Sequence, residues 1–424
     1  MSSELPIAPE LSAGDAFFAE VFDPVNRADP YGLYTKMRDS APLLDAGNHL
    51  WFTFNHDLAQ RLLRSRSVSS NEQRGTFFQE NVIFDEKFQR YAETEPLMLF
   101  MDPPDHTRLR RLVASAFTPR TVERLTPRIQ ELTDGLLAEV GMGEVFDLVE
   151  ALARPLPVAV ICELLGVPRA DEPIFMQWSD TMAKAIDPGA LRSEEDEHQI
   201  ELAQTELGIY TEDLLKRRRA DPGDDLLSAL IAVREGQDRL SEAELVNLVI
   251  LLLIAGHETT VNLIGNGAVA LMRHTDQFER WQAESSPTDT SFDKNAVDEL
   301  LRYDTPVQMG MRVLLEPWDL GPSYDNVTIP AGDQVLTLLG AANRDPAVFD
   351  EPNQLDLSRD NAAANLSFGG GIHHCLGMAL ARTEGQIALG SLVRRFDQLE
   401  LVEEPTIRNR FVLRGFEKIL LATS

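Results

Sequence analysis

The stretch "LSEAELVNLVILLLIAGHETT" (240–260) constrains the fold most. Ser241 and Glu244 stand at capping-box spacing, so a long helix is expected to begin there. Its run "LVILLLIA" (248–255) is the most apolar in the chain, yet it stops far short of the roughly 20 residues that span a bilayer. Such a helix has to be buried by other protein, at the centre of a large core. Its middle is then out of place. Gly256, Glu258, Thr259 and Thr260 are small or polar where a packing helix carries aliphatic side chains, and Ala255 and Thr259, four apart, share one face.

From 105 to about 300 the apolar spacing is mostly three and four, broken at Pro119, Pro127, Gly141, Gly166 and "DPGDD" (221–225), which reads as a succession of helices. "PLLDAGNHLWFTFN" (42–55) reads as two strands around a Gly47-Asn48 turn, and "HDLAQRLLRSRS" as a helix. Residues 1–30 are expected to be loop-like, and 70–100 a long, partly ordered loop. β-rich segments are expected at 311–340 and 398–424. With no repeat and no linker, the expectation is a mainly α fold with a minor β region, one domain over 1–424. A net charge of −29 argues against nucleic acid and anionic membranes as partners. Two cysteines make no disulfide framework, and the first residues show no basic or long apolar leader, so a soluble, cytoplasmic protein is expected.

One of those cysteines sits in "FGGGIHHCLG" (368–377). A metal site, a nucleophile and a buried thiol in a turn are all open readings. A thiolate that binds iron needs deprotonation, N–H donors for negative sulfur, and a loop that a flat macrocycle can approach. The glycines supply backbone freedom and exposed amides, and the helical spacing that follows Cys375 places a helix N-terminus beside the sulfur. Zinc is less well served, since adjacent "HHC" ligands give only part of a tetrahedral shell. A Cys375–His374 hydrolase has no orienting group to nominate. Cys162, in "PVAVICELLGVP", reads as a small core hydrophobe.

Phe368, Gly369, Gly371, His373, Cys375 and Gly377 stand at each fixed position of the haem-binding loop of the cytochrome P450 family, which the chain resembles from about residue 30 onward. The resemblance implies that Cys375 is the axial thiolate of haem b (iron protoporphyrin IX), with Phe368, Gly369 and Gly377 around it. It further implies that His373, His106, Arg110 and Arg312 face the haem propionates and that Ala255 and Gly256 lie over the opposite face. "AGHETT" matches the family's acid–alcohol pair, with Thr259 the alcohol and Glu258 the acid. Glu299 and Arg302 in "ELLR", with Arg359 in "PNQLDLSR", match the brace behind the cysteine loop, although Leu355 stands where the family usually has an aromatic residue.

The implied fold is one large α-rich domain, with haem between a long central helix and the helix of the cysteine loop. The implied function is a monooxygenase that inserts one atom of O2 into an apolar small molecule by hydroxylation or epoxidation. Terpenoid, steroid, fatty acid and polyketide scaffolds all remain open as substrates. Electrons are expected from NAD(P)H through ferredoxin reductase and ferredoxin, with Arg108, Arg111 and Arg382 as docking cations, although each reads equally well as a solvated surface arginine. The protein is expected to be a monomer. Expected pocket residues are Phe84, Ile254, Val307, Met309 and Phe416. A peroxygenase driven by hydrogen peroxide is the first alternative, disfavoured by the Glu258–Thr259 pair; a non-catalytic haem or zinc binder is the second.

Overall fold

The structure, a computed structural model, describes residues 13–81, 96–116, 118–187, 192–235, 238–286 and 290–423. The helices used below are α1 (Ala13–Phe22), α2 (Pro24–Ala28), α3 (Tyr31–Ser40), α4 (His56–Arg64), α5 (Asp105–Ala116), α6 (Pro119–Ala138), α7 (Pro155–Leu165), α8 (Glu172–Met182), α9 (Glu194–Ala220), α10 (Glu242–Arg273), α11 (Ser291–Tyr303) and α12 (Met378–Arg395). The strands are β1 (Leu43–Gly47), β2 (Leu50–Thr53), β3 (Val68–Ser69), β4 (Val145–Asp147), β5 (Met309–Leu314), β6 (Gln334–Leu338), β7 (Leu399–Leu401) and β8 (Leu420–Thr423).

α10 begins where its capping box predicts. Ser241 Oγ accepts from the Glu244 N–H at 3.1 Å, and Glu244 Oε2 accepts from the Ser241 N–H at 2.7 Å. Every residue from 260 to 271 is buried, and the helix packs against α7, α8, α9, α11 and α12. Two glycines set the approach to α12. A Cβ on Gly267 would lie 2.8 Å from Leu389, and one on Gly385 2.9 Å from Leu263, so neither position has room for a side chain. By length and composition α10 would suit a bilayer, but 72% of its most apolar window is buried inside the fold. It is a core helix.

β1 and β2 form the expected hairpin, with Gly47 and Asn48 at φ 75° and 50°. β2 then pairs in parallel with β6, giving the sheet order β1-β2-β6-β5-β3, while β7, β8 and β4 form a second sheet. Strands from opposite ends of the chain thus share sheets, which interweaves the β region with the helical body. The loop-like reading of residues 1–30 is corrected: 1–12 lie outside the described residues, but 13–28 are almost wholly the helices α1 and α2. Phe17 and Val21, one turn apart, are buried, and Phe17 sets its ring edge-on to Phe52 and Phe54 at 4.8 and 5.4 Å. The 70–100 reading needs correction at both ends, where 3-10 turns span Glu72–Arg74 and Met98–Phe100 and a short helix spans Thr76–Asn81; residues 82–95 lie outside the described residues.

Glu299 of α11 centres a buried ion triad. Glu299 accepts from Arg302 at 2.7 and 2.8 Å in a two-pronged contact, and from Arg359 Nε at 3.1 and 3.2 Å. Arg302 also donates to the carbonyls of Asn343, Pro352 and Gln354, which pins the irregular segment leading to the cysteine loop. Leu355 is buried there, so its aliphatic side chain still fills the site. A second buried polar tie joins α10 to α8, where His257 Nδ1 lies 2.8 Å from Ser179 Oγ.

Removing the carboxylate in Glu299→Ala strands two buried guanidinium groups and is expected to cost about 3–5 kcal/mol, read as a lower denaturant midpoint. His257 makes stability sensitive to acid. Burial lowers its pKa from 6.5 to about 4, so the unfolded chain binds more protons between those values. Stability that is present above about pH 6.5 therefore drains as the pH falls toward 4. Between pH 7 and 5 the native protein is expected to lose about 2 kcal/mol more than His257→Gln, measured by denaturant titration at both pH values.

Candidate active site

The loop before α12 is shaped by two glycines in the left-handed region, Gly369 at φ 66° and Gly371 at φ 65°. A Cβ on Gly371 would also collide with the Leu63 carbonyl of α4, so the loop lies directly on that helix. The Cys375 N–H donates to the Phe368 carbonyl at 3.0 Å and closes the turn. Cys375 is an exposed residue, although its thiol lies deep among protein atoms. Burial pushes this thiol up; the Gly377 and Met378 N–H groups, together with Arg110 and Arg382, pull against that. Arg382 sits 5.1 Å over the Phe368 ring and is fixed by Asp298 at 2.7 Å, which holds the ring beside the cysteine.

Next to the sulfur lies a group of donors in search of an anion. The rings of His106 (α5) and His373 are 4.1 Å apart, and both nitrogens of His106 and Nε2 of His373 are buried with no partner. Burial lowers the pKa of His373 to about 3, assisted by His106 and Arg312. Burial and Arg110 likewise lower that of His106. Arg312 on β5 falls to about 10 through burial. The nearby Asp102 carboxylate is already engaged by Ser69, the Ser70 N–H and Arg74. Arg110 donates to the His374 carbonyl and so ties α5 to the loop. Orphaned imidazoles and desolvated guanidinium groups around a space are the chemistry that carboxylates of a bound macrocycle require. The residues fit haem.

On α10 the face that the sequence marked is open: between Leu253 and Leu271 only Ala255 is exposed and only Gly256 and Thr259 are half-buried. Thr259 Oγ1 donates to the Ala255 carbonyl at 2.6 Å, leaving its lone pairs free to accept. Glu258 is fully buried and paired with Arg408. Ligating atoms of Glu258, His257 and Asp180 lie within 4.8 Å of one another, and one polar atom each on Glu258, His257, Asp180 and Arg408 is buried without a partner. Sequence reasoning missed Arg408 and Asp180. Neither lies in a motif, and Arg408 stands 150 residues from the acid it holds.

Several expected residues are placed otherwise. Ile254 and Phe416 are buried in the main core, and Met309 is buried on β5 in the cluster that includes Phe17, Phe52 and Phe54, so all three pack rather than face open space. Val307 is half-buried and bridges to Leu413. Phe84 lies outside the described residues. Of the docking cations, Arg108 is bound to Asp238 and Glu244, fastening α5 to the start of α10, and Arg382 is held as above. Arg111 is exposed.

Comparison with known proteins agrees with this geometry. Residues 55–421 match the family model described as Cytochrome P450. Vitamin D(3) 25-hydroxylase of Pseudonocardia autotrophica is 45% identical over 343 residues, 79% of this chain and 80% of that protein. 6-Deoxyerythronolide B hydroxylase of Saccharopolyspora erythraea is 38% identical across 92% of this chain and 95% of its own. The solved structure of ligand-free Mycobacterium smegmatis CYP164A2 superposes with a TM-score of 0.85 at 40% identity, covering 96% of this chain and 100% of that one. With its family model spanning most of the chain and its relatives matched over about four fifths or more of their length, the protein belongs to the cytochrome P450 family of haem-dependent monooxygenases.

Proposed function

We propose that Cys375 is the axial thiolate of haem b and that the enzyme inserts one atom of dioxygen into an apolar small molecule, by hydroxylation or epoxidation. The observation that carries this reading is Cys375, an exposed residue at the head of α12 whose thiol lies deep among protein atoms, beside the unpartnered His106–His373 pair. His106, His373, Arg110 and Arg312 would hold the propionates. Gly369 and Gly377 keep the loop slim, Phe368 screens the sulfur from water, and Ala255 and Gly256 would cover the opposite face. Bound haem supplies dioxygen binding and cleavage, favoured by the electron-rich thiolate.

In balance, substrate, dioxygen, two electrons and two protons yield the oxygenated product and water. The protons are the task of α10. Because its own hydrogen is committed to the Ala255 carbonyl, Thr259 presents lone pairs that order a proton-bearing water. Glu258 is the acid, and it has to loosen its pairing with Arg408 to take up a proton from solvent and then pass it on. The electrons would come from NAD(P)H through ferredoxin reductase and an acidic ferredoxin. Arg111, exposed on α5, would take part in docking, and Arg111→Glu is expected to slow reduction at low salt. The names of the relatives point to steroid-like and macrolide scaffolds as the substrate class. The whole chain forms one domain, in a cytoplasmic monomer.

The reduced, CO-bound protein is expected to show the red-shifted Soret band of thiolate ligation, and Cys375→Ala to lose it; a zinc-loaded, colourless protein would end the reading. Thr259→Ala is expected to keep consuming NAD(P)H while product per electron pair falls at least about tenfold and hydrogen peroxide accumulates, with Thr259→Ser restoring most of the coupling. Equal coupling in all three would remove Thr259 from the proton route.

A further inference from the structure

We propose that Asp180 on α8 carries protons from solvent to Glu258. The proposal rests on the monooxygenase reading above and deepens it, since Asp180 is a positioning residue that acts through Glu258. Two neighbours on α8 meet two neighbours on α10. Ser179 Oγ lies 2.8 Å from His257 Nδ1, and one carboxylate oxygen of Asp180 lies within 4.8 Å of one of Glu258. The Ser179–His257 contact thereby fixes the register that sets one acid against the other. His257 itself is a clamp, because burial lowers its pKa to about 4 and keeps it neutral near pH 7.

The two acids differ in their access to water. Glu258 is fully buried, with Oε1 held by Arg408 and Oε2 without a partner. The Asp180 side chain is 34% exposed, yet its Oδ1 is buried and unpartnered. Arg154, which Glu150 binds at 2.6 Å, lies 3.7 Å from Asp180 Oδ2, beyond hydrogen-bond reach. Burial raises the pKa of Asp180; Arg154 and Arg408 pull against that, and Glu258 and Glu417 add to it. A carboxyl that touches solvent on one side and an unpartnered buried acid on the other is placed to take up a proton and hand it inward.

Oxygens within 4.8 Å of each other are a span that one water bridges with two hydrogen bonds. Arg408 Nη2, on the guanidinium that holds Glu258, is also buried and unpartnered and supplies a third donor. The Asp180 carboxyl gives its proton to the water, the water passes one of its own to Glu258 Oε2, and Asp180, now anionic, refills from solvent. No electrons move. Glu417, 61% exposed and 3.8 Å from Arg408, keeps this side acidic. The other approach to Arg408 is a cavity of about 30 Å³, room for one water, lined by Arg27, Arg410 and Arg414, whose charge repels a proton. Protons are steered to the Asp180 side.

The test has two readouts on the ferric holoenzyme. In acid-minus-neutral infrared difference spectra a protonated-carboxyl band is expected that Asp180→Asn removes. Its midpoint is expected to move to lower pH in Glu258→Gln, which deletes a neighbouring negative charge and frees Arg408. The second readout is oxygen uptake driven by NADPH, a plant-type ferredoxin and its reductase, at saturating ferredoxin. Native uptake is expected to fall as the pH rises. Asp180→Asn is expected to slow uptake at least about fivefold at neutral pH, with a larger solvent isotope effect and a flat pH profile, and Asp180→Glu to stay within about twofold of native. A carboxyl band that survives Asp180→Asn, a midpoint unmoved by Glu258→Gln, or equal losses in Asp180→Asn and Asp180→Glu overturns the proposal. A normal red-shifted CO band with uptake unchanged in Asp180→Asn sinks only this carrier, whereas the expected infrared behaviour with no such CO band sinks the haem reading instead.

Discussion

The structure depends on a thiol kept where its ionisation is opposed. Burial pushes Cys375 up, and the N–H groups of Gly377 and Met378 with Arg110 and Arg382 offset only part of that. A metal cation at the sulfur would supply the remainder, since coordination deprotonates a thiol. The loop, its glycines and its flanking helices all serve to place that one atom. Gly371 lies against Leu63 of α4, Phe368 is clamped by Arg382 and Asp298, and the segment before the loop is stitched by Arg302 and Arg359 through Glu299. Each support comes from a different element, so the sulfur's position is fixed by the whole fold.

The same logic governs the polar residues of α10. An acid, an imidazole and two asparagines in the core of a helix are costly unless partnered. Arg408 and Ser179 come from remote segments to meet Glu258 and His257, and Asn266 donates to the Arg414 carbonyl. Unpartnered atoms remain on the His106–His373 pair and in the Asp180–Glu258–Arg408 group, and also on Asn262, Asn266, Glu384 and several other buried side chains.

What could be read from the sequence was local. The capping box of α10, the Gly47-Asn48 hairpin, the Glu299–Arg302 spacing and the cysteine loop each lie within a few residues, and each appears in place. What could not be read depends on distant partners. α1 is anchored because Phe17 finds Phe52 and Phe54 on and just after β2, contacts that its own short segment does not reveal. Arg408 has no signature, because its meaning lies in a carboxylate on another element. Met309 resembled a pocket residue from its place after α11, but the alternation of β5 turns it into the aromatic cluster. Arg108 read as a surface charge, yet α5 lies against the start of α10 and carries it to Glu244.

The most direct measurement is X-ray absorption at the iron edge of the purified ferric holoenzyme. One sulfur is predicted in the first shell of the iron, and it is predicted to vanish when Cys375 becomes serine. A shell of nitrogen and oxygen alone in the native protein, or a sulfur that survives the substitution, would contradict the account at its centre.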